Sequence, residues 1–451
     1  MAPAIMTLAA DAPELSAANT GFMLICSALV MLMTPALAFF YGGMVRVKST
    51  LNMLMMSFIS LGIVTILWVL YGFSMAFGTD SGSIVGWSSE YVGLSGIGIT
   101  ELWDGYTIPV YVFAVFQLMF AIITPALISG ALADRVKFTA WALFIALWVT
   151  IVYFPVAHWV WGTGGWLFEM GVIDFAGGTA VHINAGIAAL AVVLVLGARK
   201  TFPVSPRPHS LPLTMLGAGI LLFGWFGFNG GSALSAGNSA SVVILNTVAA
   251  ACAGICAWLA VEKLREGHAT SLGAASGLIA ALVAITPACG AVSPLGALVV
   301  GGAAGAVCCF AVSWKYRLGY DDALDVVGVH LVGGILGTVL IGFLADPAAP
   351  NGAAGLLYGG GVDVLWRQCV AVAAVLAYCF VVTLVIALAL KKFMGIRADQ
   401  ESEYDGLDVS VHGETAYVLD AVGLTGASKH GTDAVLGAEA ITTRAADPAK
   451  A

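Results

Sequence analysis

The feature that most constrains this chain is a series of long apolar runs with few or no charged residues. A run of about 18 residues or more can cross the ~30 Å hydrocarbon core of a bilayer as an α-helix. Eleven such runs follow one another along the 451 residues. They are residues 21–42, 51–77, 108–132, 138–160, 178–197, 211–232, 240–261, 271–289, 294–314, 324–345 and 366–390.

Composition supports the same interpretation. The chain is 60% hydrophobic and 10% charged, whereas a soluble domain is about 25% charged. A soluble core of this length cannot bury so much apolar surface. We therefore predict an all-α polytopic membrane protein with eleven transmembrane helices.

The basic residues predict the orientation. They fall in every second connection between predicted spans. Arg367, at the start of the last span, is the exception and lies near the opposite side of the membrane. Because cytoplasmic loops carry the excess of Lys and Arg, the N-terminus is expected outside and the C-terminus in the cytoplasm. The clustered basic residues are Arg46, Lys48, Arg135, Lys137, Arg199, Lys200, Arg207, Lys263, Arg265, Lys315, Arg317, Lys391, Lys392 and Arg397.

Eleven spans divide into two five-helix units and one extra helix, and a five-helix unit repeated in tandem must insert with inverted topology. The sequence "ITPAL" at 123–127 recurs as "ITPAC" at 285–289, in the equivalent span. The predicted segments are an outer N-terminal tail (1–20), a first repeat (21–200), a second repeat (201–345), a last transmembrane helix (346–395) and a cytoplasmic tail (396–451).

Two histidines occupy equivalent places in the two repeats. Asp174 precedes His182 by eight residues, and Asp322 precedes His330 by eight. At 1.5 Å per residue each imidazole lies about 12 Å from opposite faces, so the two rings reach similar depths and could touch. An ionisable side chain inside a bilayer is a functional-site hypothesis by default. Burial disfavours the charged form, so neutral rings are expected.

Several classes of function are unsupported by the sequence. It contains no nucleotide-binding fingerprint, kinase signature or metal-ligand triad, so we expect no enzyme activity, no cofactor and no metal site. No basic patch lies outside the predicted cytoplasmic loops, and nucleic acid is therefore not an expected partner. The eight cysteines lie in or beside apolar runs and are interpreted as small buried hydrophobes.

The motifs, taken in combination, resemble the ammonium transporter family (Amt/Mep/Rh), over about residues 21–417. The resemblance implies a homotrimer with one pore per subunit in the plasma (inner) membrane, with ammonium, ammonia and methylammonium as substrates. The segments that carry it are "FYGGMVRVKSTLNM", "FAVFQLMFAIITPALISGALADR", "PVAHWVWGTGGW", "DFAGGTAVHINAGIAAL", "GWFGFNGGSA", "DVVGVHLVGGILGT" and "GLDVSVHGETAY".

The same resemblance implies roles for individual residues. Trp161, Phe120 and Ser232 match an outer substrate-binding site, and Phe120 and Phe228 match a pair of stacked rings that forms a gate. His182 and His330 match twin histidines in the pore. Asp174 matches a buried acid that supports the outer site, although helix capping is our first expectation for it from the residues alone.

The polar tail after residue 396 also contains a family-like motif. The resemblance implies that it packs under the subunits, where a cytoplasmic PII-type protein regulates transport in bacteria. The matching residues are Asp405, Gly406, Leu407, Asp408, His412, Gly413, Glu414 and Tyr417.

The expected function is ammonium transport. Ammonium is selected outside as a cation, loses its proton and crosses the pore as ammonia, with the proton relayed separately. Two alternatives stay open: an ammonium sensor with little transport, and a Rhesus-like neutral-gas channel. Trp161 favours the bacterial Amt branch over the Rhesus branch, which lacks an aromatic residue at that position.

Overall fold

The computed structural model describes residues 13–204 and 206–417. Predictions for residues 1–12 and for the tail after Tyr417 lie outside the described residues. Within the described part, eleven helices are long and apolar enough to cross a membrane, which confirms the predicted all-α polytopic class. They are α1 (Ala17–Met44), α2 (Val47–Phe77), α3 (Val110–Leu132), α4 (Phe138–Glu169), α5 (Gly178–Leu196), α6 (Leu211–Gly231), α7 (Asn238–Glu266), α8 (Ser271–Ala288), α9 (Pro294–Leu318), α10 (Val327–Leu344) and α11 (Asp363–Phe393).

Several helices extend beyond the apolar runs that predict them. The first begins at Ala17, where the side chain of Ser16 accepts a hydrogen bond from the Asn19 amide at 3.2 Å. The seventh continues to Glu266 and carries Lys263 and Arg265 in its last turn. Basic residues favour the negative end of a helix, so polar flanks prolong these helices past the hydrocarbon limit that the apolar runs mark.

Two short elements lie outside the helical bundle. Strands β1 (Asp80–Ser81) and β2 (Val85–Gly86) form an antiparallel hairpin after α2. After α11, the chain forms a short helix, α12 (Gln400–Asp405), followed by a π-helical turn at Asp408–His412. The hairpin and the tail elements lie at opposite ends of the bundle, because an odd number of spans, the nine from α3 to α11, separates them.

Glycines allow the helices to pack closely. At Gly217 of α6 an added Cβ would collide with the backbone of Phe40 in α1, and at Gly224 it would collide with the side chain of Met33. In a bilayer, helices associate through van der Waals packing of small residues rather than through a hydrophobic driving force. The glycine content of the sequence therefore has a direct packing role in this pair of helices.

Helices α5 and α10 cross with reciprocal contacts. A Cβ at Gly186 of α5 would lie 2.5 Å from the Leu331 amide nitrogen of α10, and one at Gly334 of α10 would lie 3.2 Å from the Ile183 amide nitrogen of α5. Each helix also begins with a π-helical turn, Gly178–Ile183 in α5 and Val327–Leu331 in α10. A two-fold axis that relates α5 to α10 would give these reciprocal contacts. The inverted repeat as a whole and the predicted segment boundaries stay predictions.

A buried charge network joins the connections that carry the basic residues. Arg199 donates to both carboxylate oxygens of Asp321, at 2.9 and 2.8 Å, and Arg135 lies 3.5 Å from the same carboxylate. Burial alone would raise the pKa of Asp321, but these two guanidinium groups hold it below the ordinary value. These contacts bring the connections after α3, α5 and α9 together at one end of the bundle, and the side of the membrane on which that end lies stays a prediction.

The crossing of α5 and α10 gives a stability prediction. Gly186→Ala should lower the thermal stability of the detergent-solubilised protein, because overpacking a close contact costs about 1–3 kcal/mol. Gly219→Ala on α6 is the matched control, since an added Cβ there meets no atom within 4 Å. Equal melting temperatures for the two variants would contradict the close approach of α5 and α10.

Candidate functional site

A wide cavity opens at the end of the bundle that carries the β-hairpin. Its volume is about 750 Å³, and its walls come from the ends of α2, α3, α4 and α6 and from the connections beside them. The three predicted outer-site residues, Phe120, Trp161 and Ser232, line it together with Asp174, the predicted supporting acid. We refer to this cavity as the vestibule.

Aromatic rings close the bottom of the vestibule. The ring centroids of Phe120 and Phe228 are 4.3 Å apart, with an angle of 43° between the ring planes. Phe120 also meets Trp161 edge-on, with centroids 5.9 Å apart. Phe120 and Phe228 are almost fully buried, so the two phenyl rings separate the vestibule from the region of the histidines.

Two polar groups beside these rings have fixed orientations. The Trp161 indole donates to the Asp174 carbonyl at 2.9 Å, which holds the indole plane. The Ser232 hydroxyl donates to the Phe228 carbonyl at 2.8 Å. A hydroxyl oxygen that donates one hydrogen bond retains its lone pairs as acceptors. Ser232 can therefore accept a hydrogen bond from a cation that lies against the rings.

The carboxylate of Asp174 caps the start of α5. It accepts hydrogen bonds from the amides of Gly177, Gly178, Thr179 and Ala180 at 2.6–3.1 Å and from the Thr179 hydroxyl. Those donors occupy both carboxylate oxygens, as the capping interpretation requires. Asp322 caps α10 in the same way, through the amides of Val326 at 3.0 Å and Val327 at 2.7 Å.

The two histidines meet beneath the phenyl rings. Nδ1 of His182 lies 3.3 Å from Nδ1 of His330, and the imidazole centroids are 5.4 Å apart with a 25° angle between planes. Both residues are buried, at 1% and 3% exposure. Within the described residues, Nε2 of His182 has no hydrogen-bond partner. The rings that the sequence places at similar depth are thus in contact.

The space around the two imidazoles is narrow and otherwise apolar. A cavity of about 10 Å³ lies between them, Phe228 and aliphatic residues of α1, α3, α5, α6 and α8. A volume of roughly 10–15 Å³ is what one water molecule needs. The cavity is therefore about as large as one small molecule, and the two imidazoles are among the residues that line it.

Trp225 also belongs to this site, although it is not among the predicted residues. Its indole stacks near His182, with centroids 5.9 Å apart, and donates to the Thr286 hydroxyl at 2.9 Å. Trp225 lies three residues before Phe228, so helical periodicity puts both on one face of α6. That spacing is the sequence signal that could have identified it.

The predicted tail residues form a second candidate site at the opposite end. Asp408 is buried, and its carboxylate accepts hydrogen bonds from the amides of Leu51 and Asn52 at 3.0 and 2.8 Å. Burial raises the pKa of Asp408 and the two amide donors partly offset that effect. The tail is therefore attached to the first turns of α2, a contact that nothing in the sequence spacing predicts.

Other tail residues extend this contact. His412 Nε2 lies 3.1 Å from Asn52 Oδ1, and the Tyr417 hydroxyl lies 3.2 Å from His209 Nε2. Gly406 and Leu407 are buried, while Asp405, Gly413 and Glu414 are at least partly exposed. At Gly406, where φ is +105°, a side chain would collide with Lys48. The predicted tail motif is thus split between docked and exposed residues.

Comparison with known proteins identifies the family. Residues 21–417 match the family model described as the Ammonium Transporter Family. The chain belongs to the Ammonium Transporter Family. An ammonium transporter of Mycobacterium tuberculosis (strain H37Rv) is 54% identical over 428 residues, which cover 88% of this chain and 90% of the relative.

Solved structures support this assignment. The crystal structure of Saccharomyces cerevisiae Mep2 is 33% identical, with a TM-score of 0.79 over 86% of this chain and 89% of that one. A structure described as "Sensor Amt Protein" is 29% identical, with a TM-score of 0.81 over 87% of this chain and 98% of that one. The resemblance inferred from the sequence motifs is thereby confirmed at the level of family and of fold.

The docked tail gives a testable prediction. Asp408→Ala removes two charge-assisted hydrogen bonds, worth roughly 1.5–3 kcal/mol each. Amide hydrogen exchange in residues 399–412 should therefore become at least about tenfold faster. Asp405→Ala is the control, because it removes the same charge from an exposed position in the same segment. Equal exchange in the two variants would mean that Asp408 does not hold the tail.

Proposed function

We propose that this family member transports ammonium across the plasma (inner) membrane. The single observation that carries the proposal is the sequence of sites along one axis: a vestibule with an aromatic and hydroxyl wall, a pair of phenyl rings, and a pair of histidines in contact. The vestibule suits the cation, and the apolar region beyond the phenyl rings suits neutral ammonia. Membership of the Ammonium Transporter Family supplies the substrate class.

The cation is recruited in the vestibule. Ammonium lies against the faces of Trp161 and Phe120 and donates a hydrogen bond to the Ser232 hydroxyl. Cation–π attraction contributes about 0.5–2 kcal/mol, more where water is excluded. Asp174 supports this site without binding the ion, because four amides and a hydroxyl already occupy its carboxylate.

The proton leaves before the pore. Moving an intact ion into an apolar environment without ligands costs of order tens of kcal/mol in the Born limit. Neutral ammonia avoids that penalty. Potassium has a similar charge and size but no proton to release, so it stays excluded. Phe120 and Phe228 act as the gate between the two environments.

The histidine pair guides ammonia. A neutral imidazole has one N–H donor and one acceptor nitrogen. When one Nδ1–H donates to the other Nδ1, the pair presents one Nε2 acceptor and one Nε2–H donor to a small guest. The released proton follows by a separate route, so transport carries net positive charge inward.

Two alternatives are retained. An ammonium sensor is favoured by the structural likeness to the sensor Amt protein, and it would bind methylammonium without transporting it. A Rhesus-like neutral-gas channel would need no cation site, and the indole face of Trp161 in the vestibule counts against it.

We further propose the assembly and the partner. The chain forms a homotrimer of two inverted five-helix repeats per subunit, with its N-terminus outside and its C-terminus in the cytoplasm. A PII-type regulator binds at the tail, where Tyr404, Val409 and Val411 expose apolar surface beside the docked residues. No cofactor, metal or enzymatic step enters this mechanism.

Uptake kinetics in cells without ammonium carriers test the roles of the two sites. Trp161→Leu should raise the KM for methylammonium about 2- to 30-fold, which corresponds to ~0.5–2 kcal/mol of cation–π binding. His182→Ala should instead lower kcat, because the His182 side chain acts after the cation has been recruited to the vestibule. Trp366→Leu and His268→Ala are matched controls on exposed positions.

Three outcomes would contradict this proposal. Wild-type kinetics in both site variants would remove the assigned roles. Saturable binding of methylammonium without uptake by the wild-type protein would favour the sensor. Uptake that follows the concentration of uncharged methylamine alone, with no effect of Trp161→Leu, would favour the neutral-gas channel.

A further inference from the structure

A third buried histidine, His158 in α4, lies between two hydrogen-bond acceptors. Its Nδ1 is 3.0 Å from the Ala76 carbonyl oxygen of α2, and its Nε2 is 2.9 Å from Oδ1 of Asp80 in the β-hairpin. The ring is fully buried, whereas the Asp80 carboxylate is about 30% exposed and lines the vestibule. The residue belongs to neither the gate nor the histidine pair.

This arrangement requires two N–H donors. A neutral imidazole has just one, so it can satisfy either the carbonyl or the carboxylate but not both. The hydrogen bond from His158 holds the pKa of Asp80 below its usual value, so Asp80 is an ionised acceptor. The geometry therefore fits an imidazolium that donates from both nitrogens.

The pair joins the hairpin to the helix that carries Trp161. Trp159 donates from its indole to the Ile84 carbonyl at 2.8 Å, and the Trp166 amide donates to the Ser83 carbonyl. His158 is one helical turn before Trp161. Displacing the hairpin would thus move the last turn of α4 and, with it, the indole face in the vestibule.

Few other groups face this ring. Asp80 contacts it from the hairpin, and α2 contributes the Ala76 carbonyl. The segment after Trp161 packs on both residues: a Cβ at Gly162 would collide with His158, and one at Gly164 would lie 2.5 Å from the Asp80 Cβ. Glu169, the carboxylate of that segment, accepts from the Gly164 amide at 3.3 Å.

We propose that His158 and Asp80 are a pH-sensitive positioning pair for the outer substrate site. When the imidazole loses one proton at alkaline outside pH, either the Ala76 carbonyl or the Asp80 carboxylate loses its N–H donor. The contact between the hairpin and α4 then weakens. The affinity of the vestibule for the cation then falls. This inference rests on the proposed function, because it concerns the regulation of the same outer site.

The test is the KM and kcat of methylammonium uptake as a function of outside pH, across about pH 5–8. Methylammonium stays a cation throughout. In the wild-type protein KM should rise several-fold with pH while kcat stays constant. A merely structural role would not give a pH-dependent KM.

Asp80→Asn is the decisive variant. The asparagine oxygen can still accept from the Ser83 amide, as Asp80 does at 3.1 Å. Its amide nitrogen can donate to Nε2 of a neutral His158 while Nδ1–H donates to Ala76. KM should therefore stay low and become independent of pH. His158→Ala should raise KM about tenfold at every pH.

Asp104→Asn is the matched control, because it removes the same charge from the vestibule wall without a contact to His158; it should keep the wild-type pH dependence. A wild-type slope in Asp80→Asn would overturn the inference, as would a flat wild-type profile. Failure of the proposed function is a different result: no uptake by the wild-type protein, or no effect of Trp161→Leu on KM at any pH.

Discussion

The contact between two imidazoles in an apolar passage is the interaction on which the rest of the structure depends. The hydrocarbon core offers no water to satisfy buried polar groups, so His182 and His330 satisfy each other through their Nδ1 atoms, 3.3 Å apart. That distance requires α5 and α10 to approach at Gly186 and Gly334. The capping carboxylates of Asp174 and Asp322 fix where each helix begins, and hence the depth of its ring.

The outer half of the site follows from the same constraint. In the proposed mechanism the cation does not enter the dry passage, so it is selected and deprotonated where aromatic faces and a hydroxyl can replace part of its hydration. We propose that Trp161, Phe120 and Ser232 provide these groups and that Phe228 separates them from the histidines. In this mechanism the substrate is therefore selected as ammonium above the phenyl rings and passes as ammonia below them.

Much of this could be predicted from the sequence because it depends on local patterns. Apolar runs determine the eleven spans, and the Asp–His spacing of eight residues places both histidines at similar depth. Contacts between distant segments have no such signal. Two such contacts arise from the way the connections fold at the two ends of the bundle: Asp408 accepts from amides of α2, and His158 pairs with Asp80. The predicted helix ends differ from the observed ones for another reason, because polar turns continue the helices beyond the apolar runs.

The most direct test of the central claim is the current across a supported membrane that contains purified protein, after pulses of ammonium or potassium. The account predicts a current that scales with protein for ammonium, because the released proton carries charge, and none for potassium even at large excess. A potassium current that scales with protein and is abolished by His182→Ala would show that intact cations cross between the histidines, and it would contradict the account.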